Sequence, residues 1–385
     1  MKQGWNVMEL SEVCKVIAGQ SPEGKYYNNS GKGLPFYQGK KEYGEKYIGE
    51  PTTWTTKISK EADPGDVLMS VRAPVGPINF STQKICIGRG LAAIRASKLI
   101  DREFLFNFLL KHENEIVGNT GAVFNSISKN QIEAIEIPLP SLPEQLRIVS
   151  ILNEAFASIA KAKANAEQNL KNAKELFESY LQSIFESKGA NWKEKKLSDI
   201  TNILGDGLHG TPKYDKHGEY YFINGNNLEK GKITYRDNTK RASVLEYEKY
   251  KKNLNDRTIL VSINGTLGNV AFYNNEKIIL GKSACYFNLI EGIDKDFVKY
   301  IISSPYYLKY AHKEATGATI KNVSLKTMRD FIVPLPTLIS QQNIVRKLDA
   351  LSFETKKLEI IYQQKINDLD ELKKSILQKA FSGEL

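Results

Sequence analysis

Cysteine is scarce in this chain of 385 residues, which carries it only at Cys14, Cys86 and Cys285. The three are scattered, with no Cys-x-x-Cys pair and no even number to build a disulfide framework, and this usage suits a reducing compartment. The sequence also lacks an N-terminal signal pattern and an apolar run long enough to span a bilayer. We therefore expect a soluble, cytoplasmic protein.

Signatures of catalysis are also missing. The four histidines do not fall at metal-ligand spacings with cysteines or carboxylates, so we expect no metal site. Ser-Pro-Tyr-Tyr at 304–307 resembles the signature of amino-group methyltransferases but lacks its second proline, and we interpret it as a turn that interrupts a helix. Gly-Lys-Ser at 281–283 resembles the end of a phosphate loop, yet Glu276 stands where that loop requires glycine. No catalytic residue and no cofactor site is predicted.

What the chain does contain is a long internal repeat. The Trp-x4-Leu pattern at Trp5 returns at Trp192, the strand-like segment ending in Ser70 returns at Ser262, and Ile-Pro-Leu-Pro at 137–140 returns as Val-Pro-Leu-Pro at 333–336. Solenoid repeats are only about 20–50 residues long, so each copy here is large enough to be a domain plus an attachment. The sequence predicts a pseudo-symmetric molecule that meets a partner offering two similar but unequal surfaces.

The charge balance is moderately basic. The chain has 54 Lys and Arg against 44 Asp and Glu, a net charge of +10 and a pI near 9.1. This excess is compatible with nucleic acid but not diagnostic, because many basic proteins simply have solvated lysine faces. At 41% apolar residues there is enough material for ordinary hydrophobic cores.

Each copy ends in a long helical segment. Ser141 and Glu144 have capping-box spacing, and apolar residues then follow at three- and four-residue steps to Ile184, with Lys163 within the seam. The second helix has a broader apolar stripe and is stopped by Gly383. Each helix either packs on its own domain or pairs with the other helix, and the regular seam favours antiparallel pairing. The candidate residues for the seam and for docking of partner subunits are Val149, Phe156, Ile159, Leu170, Phe177, Leu358, Tyr362 and Leu369.

The two globular parts are predicted to mix helices and strands. Short β-rich runs at 66–71, 258–263 and 278–280 lie between turn residues, and amphipathic stretches at 101–115 and 294–310 indicate helices.

Polar segments occupy matching places in the two copies. Phe-Tyr-Gln-Gly-Lys-Lys at 36–41 corresponds to Phe-Ile-Asn-Gly-Asn-Asn at 222–227, and this exchange would change which bases are read, because amides bond the adenine edge whereas lysine suits guanine or phosphate. Residues 20–27 are mirrored by 209–214, and a third pair lies at a strand end. Ordinary loop polarity is the alternative explanation. The candidate DNA-binding residues are Ser21, Lys25, Tyr26, Gln38, Lys40, Lys41, Ser70, Arg72, His209, Thr211, Lys213, Tyr214, Asn224, Asn226, Asn227, Ser262 and Asn264.

The chain consists of a domain, a helix introduced by Ile-Pro-Leu-Pro-x-Leu-x-x-Gln, a second domain, and a second helix introduced by Val-Pro-Leu-Pro-x-Leu-x-x-Gln. This order resembles the specificity subunit of type I restriction–modification systems. The resemblance covers essentially the whole chain and includes Gly-Thr-Pro-Lys-Tyr at 210–214. The second helix departs from the family pattern, because Ser340 replaces the capping glutamate. The resemblance implies an α+β fold with target-recognition domains at 1–140 and 189–336, joined by spacer helices at 141–188 and 337–385 that form an antiparallel coiled coil.

The same resemblance implies the partners. Each domain would read one half of a bipartite, asymmetric target in double-stranded DNA, and the helix pair would set the spacing and dock two methyltransferase subunits. Nuclease/translocase subunits would join them, and S-adenosylmethionine, ATP and Mg²⁺ would belong to those partners. Base flipping for adenine methylation would be their task. Two alternatives stay open: an assembly scaffold whose repeated domains bind protein, and a self-contained DNA enzyme such as a fused methyltransferase.

Overall fold

A computed structural model describes residues 4–118, 126–189 and 191–385. It divides into two compact units, Met1–Glu167 with Gln364–Leu385, and Gln168–Gln363. Each unit therefore contains one predicted domain and parts of both long helices, whereas the sequence assigned the helices to segments of their own. The physical reason is that each half of a helix buries apolar side chains in the core of the domain at its own end.

Unit 1 is built on three antiparallel or mixed sheets. Their orders are β1-β11, β2-β10-β7-β8 and β3-β5-β4-β9-β6. The strands are β1 (Asn6–Glu9), β2 (Cys14–Ala18), β3 (Tyr27–Asn28), β4 (Leu34–Tyr37), β5 (Trp54–Thr55), β6 (Glu61–Ala62), β7 (Val67–Ser70), β8 (Ile78–Phe80), β9 (Ile85–Ile87), β10 (Leu91–Ala96) and β11 (Glu136–Leu139). The helices are α1 (Leu10–Val13), α2 (Arg102–Gly118), α3 (Lys129–Glu133) and α4 (Leu142–Glu186), with short 3-10 turns at Gly24–Tyr26 and Lys40–Glu42.

Unit 2 has counterparts of the two-stranded and four-stranded sheets of unit 1, whereas its remaining strands form a three-stranded sheet and a separate two-stranded sheet. Its sheet orders are β12-β22, β13-β21-β18-β19, β17-β14-β20 and β15-β16. The strands are β12 (Lys193–Lys196), β13 (Thr201–Asp206), β14 (Tyr220–Ile223), β15 (Leu228–Glu229), β16 (Lys232–Ile233), β17 (Arg241–Ala242), β18 (Thr258–Ser262), β19 (Val270–Phe272), β20 (Ile278–Leu280), β21 (Ala284–Leu289) and β22 (Ile332–Leu335). The helices are α5 (Val244–Tyr250), α6 (Lys295–Ile302), α7 (Pro305–Glu314), α8 (Leu325–Asp330) and α9 (Leu338–Ser382), with 3-10 turns at Leu197–Ile200 and Gly225–Asn227.

The predicted strands and helices are confirmed, with small shifts at their ends. The helix predicted at 101–115 is continuous and corresponds to α2. The helix predicted at 294–310 is divided into α6 and α7, because Ser304 caps α7 and Pro305 occupies the first turn of α7. This confirms the interpretation of 304–307 as an interrupting turn. Gly383 follows the last residue of α9 with φ +84, a conformation that ends helices, as predicted.

A buried glutamine ties each long helix to its domain. Gln145 and Gln341 are at most 1% exposed. The Oε1 atom of Gln145 accepts a hydrogen bond from the N–H of Asp101 at 2.7 Å, and that of Gln341 accepts from the N–H of Asp294 at 2.9 Å. Both Nε2 groups donate to the last proline carbonyl of the Pro-Leu-Pro motif, at 2.9 and 3.0 Å. The two aspartates cap α2 and α6, so each glutamine joins a spacer helix to a domain helix.

The seam of α4 is regular. Buried side chains recur every seven residues, at Gln145, Leu152, Ile159, Ala166 and Ala173. Lys163, the lysine in the predicted seam, pairs with Asp370 of α9 at 2.6 Å within unit 1. Within unit 1 the start of α4 and the end of α9 share the hydrophobic core, and Lys163 further along α4 pairs with Asp370 further back along α9, so these two segments run antiparallel.

Candidate nucleic-acid interface

The segment 36–41 of unit 1 forms the end of a buried strand and the turn after it. Strand β4 pairs in parallel with β9, and the chain leaves the sheet at Gln38 before entering the 3-10 turn that holds Lys40 and Lys41. All three side chains are exposed. Gln38, Lys40 and Arg72 line one cavity of about 210 Å³. The structure therefore brings together candidates that are distant in sequence, in a polar and basic recess.

The matching segment of unit 2 is held differently. Asn224 and Asn227 serve the loop itself, because the N–H of Asn224 donates to Oδ1 of Asn227 at 3.0 Å, and Oδ1 of Asn224 accepts from the hydroxyl of Ser283 at 3.0 Å. Asn227 also donates to the carbonyl of Thr234 and is only 5% exposed. Asn226 is exposed, and within the described part of the chain its amide makes no hydrogen bond. Among the three asparagines, Asn226 has the placement that base reading requires.

The strand-end serines are buried. Ser70 is 3% exposed and donates to the carbonyls of Arg72 and Pro74, and Ser262 is fully buried and donates to the carbonyl of Thr266. These hydroxyls close the turns after β7 and β18, so we assign them to holding the turns rather than to contacting DNA. Arg72, two residues on, is exposed, while Asn264 is half-buried and its amide donates to Asn322 at 3.1 Å.

The first loop of unit 1 carries a small cation and aromatic cluster. Lys25 and Lys57 lie 5.2 and 5.0 Å from the ring of Tyr26. Both lysines pair with Glu23, at 2.7 and 3.6 Å, and these contacts lower the pKa of the Glu23 carboxyl. Ser21 is half-buried and accepts a hydrogen bond from the backbone. The loop is therefore ordered by its own contacts, with charged groups at the surface.

The corresponding loop of unit 2 is exposed at His209, Thr211, Lys213 and Tyr214. Nε2 of His209 lies 2.5 Å from a carboxylate oxygen of Asp206, so the imidazole is engaged by its own strand. Tyr214 is 47% exposed. Its ring lies 6.0 Å from that of Phe222, measured between centroids, and exposed aromatic rings can stack on the bases of nucleic acids.

Two basic residues were missed by the sequence reasoning. Arg89 lies in the same recess as Gln38, Lys40 and Arg72, and Lys282 occupies the matching position in unit 2, after the strand paired in parallel with β14. The sequence signal that could have identified Lys282 is the Gly-Lys-Ser segment at 281–283. Aligning it with Gly-Arg-Gly at 88–90 would have revealed a matched cation.

All three cysteines are free and buried. Burial raises the pKa of the Cys14 thiol to about 12 and also raises the pKa of Cys285, so neither is a thiolate nucleophile. Among the described residues no group of three or more His, Cys, Asp or Glu side chains is arranged to hold a metal ion. A search of the same residues finds no helix with the length and apolar character needed to cross a membrane.

The helix residues predicted for docking divide by burial. Val149 and Ile159 are buried in unit 1, and the rest are half-buried except Leu358, which is 37% exposed. Other large apolar side chains of α9 are far more exposed, with Phe353 at 67% and Ile360 at 71%. Exposed apolar groups on an otherwise charged helix are typical of an interaction surface. Docking of subunits at these residues stays a prediction.

Comparison with known proteins matches this architecture. The family model for the type I restriction modification DNA specificity domain matches residues 2–171 and 189–369. A putative type I restriction enzyme MjaX specificity subunit of Methanocaldococcus jannaschii is 42% identical over 177 residues, covering 45% of this chain and 41% of that protein. The type I restriction enzyme EcoBI specificity subunit of Escherichia coli is 19% identical over 99% of this chain and 86% of its own length. A solved chain from work on complex assembly and conformational transition of the type I R-M system superposes with a TM-score of 0.80 at 20% identity, covering 100% of this chain and 99% of that one.

Proposed function

Because this chain belongs to the family of type I restriction modification DNA specificity domains, we propose that it is the DNA sequence-specificity subunit of a type I restriction–modification complex. Each unit reads one half of a bipartite target in duplex DNA. The paired helices set the spacing between the halves and dock the methyltransferase subunits. The two units carry different side chains at matched loop positions, so the target is asymmetric.

The proposal rests on one observation: equivalent loop positions of the two units carry different side chains, although the strands beneath them are paired in the same way. Exposed Lys40 of unit 1 corresponds to exposed Asn226 of unit 2, and exposed Arg72 corresponds to half-buried Asn264. The strands beneath these positions have the same pairing, so the framework is constant while the chemistry at the tips changes. A cation and an amide prefer different base edges, and this is the variation expected of two readers of different half-sites.

The chemistry of methylation and cleavage is assigned to partner subunits in this proposal. Two methyltransferase subunits would supply S-adenosylmethionine and flip the adenine. Nuclease/translocase subunits would supply ATP and Mg²⁺.

The test is the salt dependence of duplex binding. The full chain, purified with its methyltransferase partner, is titrated against labelled duplex DNA at several salt concentrations. A protein that contacts DNA phosphates displaces counterions, so log K for duplex binding falls with log salt concentration, with a slope of about −0.9 for each phosphate contact. A scaffold that binds only protein gives no duplex binding with such a slope, and that result would reject the proposal. Binding of S-adenosylmethionine by the isolated chain would instead support a self-contained enzyme.

A further inference from the structure

A tight turn in each unit connects the loops that carry the candidate residues. In unit 1 it is Gly-Arg-Gly at 88–90, between β9 and β10, and in unit 2 it is Gly-Lys-Ser at 281–283, between β20 and β21. Each turn follows the strand that pairs in parallel with the strand leading into the loop at 38–41 or 224–227.

In unit 1 the turn bonds to all three neighbouring loops. Its N–H groups donate to the carbonyls of Tyr37 and Gln38, at 2.8 and 3.1 Å, and to the hydroxyl of Ser21 in the first loop, at 3.2 Å. Its last carbonyl accepts from the N–H of Val71 beside the strand-end turn, at 2.9 Å. The turn at 88–90 is therefore the point where the three loops are joined.

Unit 2 repeats this arrangement with different side chains. The turn donates to the carbonyls of Ile223 and Leu208, at 2.8 and 3.0 Å, and its serine hydroxyl accepts from the N–H of Gly225 at 2.9 Å. Its last carbonyl accepts from the N–H of Ile263 at 3.0 Å. The repeated bonding places the middle residue of both turns at an equivalent point among the loops.

Close packing holds that middle residue in place. A Cβ atom added at Gly90 would lie 2.2 Å from the carbonyl oxygen of Gln38, and one added at Gly281 would lie 2.2 Å from Oδ1 of Asn224. Gly90 is thus required by its contact with the loop backbone, whereas a larger residue at Gly281 would have to displace the side chain of Asn224. The middle residues, Arg89 and Lys282, are exposed, and within the described residues neither side chain has an ion-pair partner.

These two positions remain cationic, whereas the positions of Lys40 and Arg72 do not. Lys40 is replaced by Asn226 and Arg72 by Asn264 between the units, but Arg89 is replaced by another cation. In protein–DNA interfaces phosphate contacts fix position and base contacts carry specificity. We propose that Arg89 and Lys282 each bind a backbone phosphate in their own half-site, while the variable positions around them read bases. This inference rests on the proposed function.

The test uses the full chain with its methyltransferase partner, and a target duplex derived from the methylated adenines of the host genome. Arg89→Ala and Lys282→Ala are each titrated against target and scrambled duplex at several salt concentrations. Each variant is expected to weaken both duplexes by the same factor and to reduce the salt slope by about 0.9, with about 1.8 for the double variant. Arg89→Lys is expected to retain the wild-type slope.

Lys15→Ala is the control for loss of charge, since Lys15 is exposed on strand β2. It should leave the slope unchanged. Unaltered slopes in Arg89→Ala and Lys282→Ala would overturn the inference. So would selective loss of target binding that Arg89→Lys fails to restore, because that pattern identifies bidentate base reading. A flat slope in the wild type would overturn the proposed function itself, and the inference with it.

Discussion

Replacing Gln145 with alanine would remove the side chain that joins α4 to the start of α2. The variant leaves the N–H of Asp101 and the carbonyl of Pro140 without their partner, inside a region where Gln145 is 0% exposed. Each buried polar group left unpaired costs about 1–3 kcal/mol, so we expect the free energy of unfolding of unit 1 to fall by roughly 2–6 kcal/mol. For a unit of this size that lowers Tm by on the order of 10 °C.

Thermal unfolding followed by circular dichroism measures the shift, and hydrogen exchange locates it. Exchange should accelerate at the start of α2 in this variant, and at the start of α6 in Gln341→Ala, which breaks the equivalent bonds of unit 2. Leu146→Ala changes a neighbouring side chain that is 55% exposed and should cost less than about 0.5 kcal/mol. A wild-type Tm in both glutamine variants would refute the reasoning.

Three further outcomes follow from the same account. Replacing exposed Phe353 and Ile360 with aspartate should abolish co-purification of the methyltransferase subunit without lowering Tm. Ile159→Asp instead places a charge in a buried position and should lower Tm. If the complex stays intact in the Phe353 and Ile360 variant, these residues of α9 do not dock the subunit. Inserting two heptads in each long helix adds about 21 Å, or roughly six base pairs of DNA, and the methylated motif should show a longer gap. Asn226→Ala should relax one base position by about tenfold with little change in salt slope, and no effect on either quantity would place that loop outside the reading surface.

The architecture was predictable because it depends on periodicity and on repetition. Buried strands such as β18 and β20 are short apolar runs between turn residues. The interruption of a helix at Pro305 was also predictable, because proline cannot continue a helix from the preceding turn. The alignment of Phe36 with Phe222 is also confirmed, because both strands pair in parallel with equivalent partners.

The site was less predictable, since it depends on which way a side chain faces. Ser70, Ser262 and Asn227 were polar residues in matched segments, yet they satisfy buried backbone groups. Sequence patterns could not distinguish them from Asn226, one residue away and exposed. The partner of Lys163 was equally inaccessible, because Asp370 is more than 200 residues distant in the chain.

The central claim is that each unit reads its own half of the DNA target. The most direct measurement replaces residues 189–336 with the corresponding domain of a relative and sequences the methylated adenines of a host that carries the chimaera. We predict that one half of the bipartite motif changes while the other half and the gap stay as they were. A motif in which both halves change, or neither does, would contradict the account.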